Sequence, residues 1–96
     1  MRPSTALEAR RADIHRIVLA HRAHNPRVFG SVLRGEDHED SDLDLLVDAE
    51  PGATLFDLGG LQDELETLLG IHVDLLTPDD LPPVFRAKVL AEARPI

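Results

Sequence analysis

The run Ser41-Asp42-Leu43-Asp44-Leu45-Leu46-Val47 leaves a chain few ways to fold. In an extended strand, Leu43, Leu45 and Val47 point to one face, while Asp42, Asp44 and Leu46 point to the other. Such a strand buries one face under helices and turns an acidic face outward. Asp42 and Asp44 stand about 7 Å apart along the backbone, on the same side. Like charges held this close raise each other's pKa, at a cost that a bound cation or surrounding water must offset. Ten residues upstream lies Gly30-Ser31, a turn small enough to admit a phosphate. Magnesium takes oxygen ligands, usually one or two carboxylates plus substrate phosphates, so turn and acid pair together suit a metal-bound triphosphate. The competing reading is a strand with ordinary solvated acids, and the preceding Glu36-Asp37-His38-Glu39-Asp40 reads as charge screened by water.

The flanking sequence supplies the rest of a small α/β unit. Thr5-Ala6-Leu7-Glu8 has capping-box spacing, and Leu7, Ile14, Ile17, Val18 and His21 follow a helical period up to Asn25-Pro26. Arg27 to Phe29 reads as a short strand entering Gly30, with a helical turn at Val32 to Arg34 and a break at Gly35. The next strand spans 42–48. Thr54 with Asp57 opens a helix carrying Leu58, Leu61, Leu65, Leu68 and Leu69; Gly59-Gly60 weakens its middle, and Gly70 ends it. Ile71 to Thr77 alternates as a third strand, with Asp74 on the face between His72 and Leu76. A last helix carries Leu81, Val84, Phe85, Val89 and Leu90, opens on Pro82-Pro83 and stops at Pro95. The expected class is α/β or α+β, a small mixed β-sheet backed by helices. If the second and third strands are neighbours, Asp42, Asp44 and Asp74 meet, as a two-metal phosphoryl-transfer site requires.

Composition narrows the function. Ninety-six residues allow one core and no second lobe, so a single domain over 1–96 is expected. There is no cysteine, which excludes disulfides and thiolate zinc sites, and no apolar run approaches membrane-spanning length. A soluble protein of the reducing cytoplasm, without membrane contact, is the expectation. The net charge is -8, unevenly spread: residues 1–34 hold seven Arg against two acids, and residues 35–96 hold three bases against sixteen acids. An acidic body with three Phe and no Tyr or Trp offers a nucleic acid little to bind, so autonomous nucleic-acid binding is not expected. Arg10, Arg11, Arg16 and Arg22 either form a solvated helix face or meet phosphates or an acidic protein.

Phe29, Gly30, Ser31, Arg34, Gly35, Ser41, Asp42, Asp44, Leu45 and Val47 follow a pattern that resembles the minimal nucleotidyltransferase family of the DNA polymerase β-like superfamily. Nearly the whole chain is covered. Asp74 matches the third carboxylate, and Glu92 to Ile96 resembles the closing helix end. Leu33 stands where the family usually has Ala, and the spacer from Glu36 to Asp40 is unusually acidic. The resemblance implies a polymerase β palm-like fold and AMP transfer from ATP. It assigns Gly30 and Ser31 to the β and γ phosphates, Asp42 and Asp44 to two Mg²⁺ ions, and Asp74 to the metal site beside the attacking hydroxyl. Arg34 steadies phosphate, docks a partner or forms a structural salt bridge.

Relatives of this size are commonly antitoxins encoded beside a helical HEPN-type RNase toxin, which they neutralise by adenylylating a tyrosine or by binding. The expected function is therefore a protein adenylyltransferase antitoxin with a HEPN toxin as partner. The alternatives are a non-catalytic antitoxin that blocks by binding and a subunit that transfers nucleotide to a small molecule. The last fits less well because no acceptor lobe is visible.

Overall fold

Two short helices open the chain where the periodicity predicts one. The computed structural model describes all of residues 1–96 and forms α1 (Pro3–Ala9), α2 (Arg11–Ala20), β1 (Ala23–Phe29), α3 (Gly30–Leu33), β2 (Leu43–Ala49), α4 (Leu55–Leu69), β3 (Val73–Leu76), a 3-10 turn (Pro78–Asp80), α5 (Pro83–Glu92) and β4 (Arg94–Pro95). The Thr5–Glu8 box does not form. Pro3 occupies the first helical turn instead, and the helix breaks at Arg10, whose backbone (φ -129°, ψ 20°) closes α1 and opens α2. Neither Gly nor Pro marks that break in the sequence. Both halves keep their apolar stripe inward, with Ala6, Leu7, Ile14, Ile17 and Val18 all buried.

The sheet order is β3-β2-β1-β4, with β2 and β3 parallel and the other two pairings antiparallel. It is a mixed sheet, as expected. β1 starts at Ala23 rather than Arg27. Asn25-Pro26, read as a helix stop, lies inside the strand at a register shift between His24 and Arg27, and Asn25 takes φ 55°. A bulge accommodates proline, which has no N–H to give to a ladder. β4 was not anticipated: Pro95 pairs with Arg27 and Arg94 with Val28, so the tail closes the sheet edge instead of ending a helix.

α4 bears out its signals. Thr54 and Asp57 exchange both capping hydrogen bonds, and Gly70 takes the left-handed conformation at φ 68°. The helix runs unbroken through Gly59-Gly60, and Gly60 serves its packing: the ring of His21, which closes α2, lies 3.3 Å from where a Cβ would stand. Leu43, Leu45 and Val47 join Leu61, Leu65, Leu69, Val73 and the buried residues of α1 and α2 in one core.

The β2-α4-β3 connection moves one way along the sheet and β3-α5-β4 moves back across it. The sheet face turned away from Leu43, Leu45 and Val47 carries Asp44 and Asp74. Leu46, on this acidic face, is nevertheless fully buried, and Leu81 is buried outside the main core. α5 itself buries no residue: Val84 and Phe85, among the apolar residues it carries, are 86% and 57% exposed. No helix is long and apolar enough to cross a membrane.

Candidate active site

Sheet register alone brings the acids together. Leu43 pairs with Val73 and Asp44 with Asp74 across the parallel strands, so Asp42 lies beside His72 at the strand entrances and Asp44 beside Asp74 one step further in. Asp42 lies just before the strand, a residue later in start than the sequence suggests. On the other side Asp44 pairs with Phe29, which places Gly30 against it. Gly30 has φ 73°, and a Cβ there would collide with Asp44 Oδ2. The missing side chain thus makes room first for the carboxylate.

Asp44 is the stressed member of the group. Desolvation, a hydrogen bond shared with Asp74, and the charges of Asp74 and Asp42 push its carboxyl up to about 6, against only partial relief from Arg34. Asp48 on the same strand face shows the contrast. Arg27 donates to both its oxygens at 3.1 and 3.2 Å and Asn25 adds a third bond at 3.0 Å, which holds that carboxyl below its usual value. Asp48 is a structural acid; the other three lack an arginine of this kind.

His72 belongs to the cluster and was not a sequence candidate, although alternation places it on the Asp74 face. Its Nδ1 lies 2.7 Å from Glu66 Oε2, and its Nε2 lies 3.0 Å from Asp74 Oδ1. Asp74, and then the charges of Asp42 and Glu66, raise its pKa. Potential ligand atoms of Asp42, His72 and Asp74 all lie within 4.8 Å of one another. Oxygen-rich and net negative, this donor set fits a divalent cation, with Asp44 adjoining.

The acidic spacer is less a free charge run than the sequence suggests. Asp37 is buried; it accepts the Ser4 N–H at 2.9 Å and an Arg2 N–H at 3.0 Å, capping α1 from 33 residues away. Burial opposes its charge, but Ser4 and Arg2 outweigh that and hold its pKa below the usual range. Glu39 pairs with the Met1 amine at 2.6 Å, and Arg34 with Glu36 at 3.2 Å. Arg10 and Arg16 both reach Asp13, and Arg11 reaches Glu8, so the basic face of the first helices is largely neutralised in place. The Ser31 carbonyl accepts from Glu36 N–H at 2.9 Å and closes the loop after α3. A cleft of about 450 Å³ opens between the ends of α3 and α5, lined by Leu33, Arg34, Ala91, Glu92, Ala93 and Arg94. Of its lining residues, Arg34 is the one whose charge acts on Asp44.

Residues 26–96 match the nucleotidyltransferase domain family. The chain belongs to that family. A solved structure assigned as a minimal nucleotidyltransferase superposes with a TM-score of 0.87 at 48% identity, over 97% of this chain and 95% of that one. A Methanocaldococcus jannaschii protein whose name assigns it as a protein adenylyltransferase is 42% identical over 77 residues, 80% of this chain and 83% of its own length. The protein adenylyltransferase MntA of Thermococcus cleftensis is 46% identical over 65 residues, 68% of this chain and 66% of that relative. A toxin-antitoxin crystal structure with AMP-PNP shares the fold, with a TM-score of 0.73 at 22% identity over 88% of this chain and 69% of that one. This nucleotidyltransferase is thus an enzyme by kinship, and its carboxylates lie at the ends of two paired strands rather than scattered over a surface.

Proposed function

We propose that the chain is a metal-dependent protein adenylyltransferase that moves AMP from ATP to a hydroxyl of a partner protein and acts as the antitoxin of a helical HEPN-type toxin. The juxtaposition of Asp42, Asp44 and Asp74 across β2 and β3 carries this reading. The likeness to MntA and the fold shared with a toxin-antitoxin structure support the choice of acceptor.

In this reading Asp42 and Asp44 hold two Mg²⁺ ions and Asp74 completes the set on the acceptor side. The bound metal supplies charge neutralisation at the α-phosphate and the leaving pyrophosphate. Gly30 and Ser31 present backbone N–H groups to the β and γ phosphates, and Arg34 adds a cation at the rim. The acceptor oxygen forms a bond to the α-phosphorus as the bond to pyrophosphate breaks, and the hydroxyl proton leaves to solvent. Such chemistry needs positioning and charge stabilisation more than covalent help from the protein.

The test is the double variant Asp42→Asn with Asp44→Asn, which keeps the shape and removes the charges. AMP transfer to the partner, read by mass spectrometry, should fall by about 10²-fold or more, the scale set by losing single electrostatic stabilisers. The complex should still form, and rescue of toxin-expressing cells should fail. Full rescue by the double variant at equal abundance would show that neutralisation is steric and overturn the enzymatic reading.

A further inference from the structure

The three-carboxylate reading leaves His72 without a task, yet this side chain is the most tightly specified in the cluster. It stands beside Asp42 across the parallel register and shares the Asp74 face. Glu66, on the last turn of α4, accepts the Val73 N–H at 2.9 Å and contacts His72 Nδ1 at 2.7 Å through the same oxygen. Helix and strand together therefore place Glu66 behind the ring. Nε2 is the nitrogen turned to the site, hydrogen-bonded to Asp74 Oδ1 at 3.0 Å, while Nδ1 lies at ion-pair distance from Glu66. Metal-binding histidines commonly have a carboxylate beside the other ring nitrogen to orient them, and Glu66 stands in that position.

We infer that His72 Nε2 is a metal ligand alongside Asp42 and Asp74, with Glu66 as its orienting carboxylate, and that the site binds Mn²⁺ or Co²⁺ more tightly than Mg²⁺. The inference rests on the reading of this site as metal-binding. The three donor atoms lie within 4.8 Å of one another. Ligands on one ion at about 2.0–2.2 Å come somewhat closer than that, and the closure is available to the two carboxylates, because the Asp74 side chain is 46% exposed and Asp42 is exposed. A metal between His72 and Asp74 replaces the Nε2 to Asp74 hydrogen bond with two coordinate bonds and leaves Glu66 in place. Mg²⁺ prefers all-oxygen, octahedral, partly hydrated surroundings, whereas imidazole nitrogen favours the later divalent metals.

The experiment uses the full chain with metal alone. Mn²⁺ bound to the native protein should show electron spin-echo modulation from a coordinated ¹⁴N nucleus, and Co²⁺ a visible spectrum that changes on loss of that nitrogen. In His72→Ala the nitrogen signal should vanish and Mn²⁺ affinity fall about 10-fold or more, while Mg²⁺ affinity changes less than about 3-fold. Glu66→Gln, which keeps an acceptor for Val73, should weaken Mn²⁺ about 10-fold with the nitrogen signal retained. Native protein that binds Mn²⁺ with no nitrogen coupling, or with affinity unchanged in His72→Ala, would overturn the role of His72 and leave the carboxylate site standing. Failure of native protein to bind any of the three cations would instead overturn the metal-site reading itself. The nitrogen measurement on native protein needs no variant to fold.

Discussion

Asp44 makes the metal-free protein sensitive to pH in a direction opposite to most acids. Its folded pKa of about 6 lies above the ordinary 3.8. Between those values the folded state binds more protons than the unfolded one, so this group's contribution to stability declines as pH rises from about 4 through about 6. Asp44→Asn should then raise the melting temperature of chelator-treated protein at pH 7.5 by about 4–8 °C, the equivalent of about 1 kcal/mol after solvent screening. The gain should disappear below pH 4; a gain independent of pH would contradict the origin assigned to it. Gly30 adds a coupled prediction. Gly30→Ala meets both the positive φ and the Asp44 carboxylate, and should cost about 1–3 kcal/mol by denaturant melts. Asp44→Ala in the same chain should recover part of that loss, a coupling of about 1 kcal/mol, because it removes the atom that collides.

At the scale of elements, the loop acids and the last helix carry weights the linear pattern does not suggest. Asp37 closes the start of α1 from the spacer and is buried, so Asp37→Ala should cost about 1–2 kcal/mol, as losing a helix cap does. Asp40, in the same spacer, is exposed; Asp40→Ala should change stability by less than about 0.5 kcal/mol. Equal losses in the two variants would show that the spacer acts only through summed charge. α5 behaves in the converse manner. Its apolar residues look like a core stripe, but Val84 is 86% exposed, and Val84→Ser should stay within about 0.5 kcal/mol of the native protein. The helix is fixed at its start instead, where Arg86 donates to the carbonyls of Pro78, Asp79 and Leu81.

For the whole molecule, charge distribution decides how ligands report themselves. The net charge is -8, while Arg10, Arg11 and Arg16 are paired locally with Glu8 and Asp13 in the opening helices. Asp42, Asp44 and Asp74 add a local concentration of negative charge at the starts of β2 and β3. A triphosphate without metal meets that field unfavourably. Mg²⁺ with ATP at about a hundred times its dissociation constant should stabilise the fold by about 2.7 kcal/mol, and ATP with chelator should produce little shift in the thermal melt. Equal shifts under both conditions would remove the metal bridge from the proposed function.

Much of this was legible along the chain, because the deciding signals are local. A two-residue alternation separates Leu43, Leu45 and Val47 from Asp42 and Asp44; a capping box and a left-handed glycine bound α4; and the order of Gly30-Ser31 and the acids points to nucleotide chemistry. These follow from side-chain spacing within one element, which the backbone period sets by itself. Tertiary structure alone decided which acids are partnered. Asp37, Asp48 and Asp44 are the same residue type, yet one caps a helix 33 residues away, one is held by an arginine 21 residues away, and one is left beside a like charge. It also decided that Arg10 breaks a helix, that Arg94-Pro95 closes a sheet, and that His72 faces the carboxylates with Glu66 behind it. Each of these depends on a partner supplied by another element, and a one-dimensional period carries no information about what the fold will set opposite a side chain.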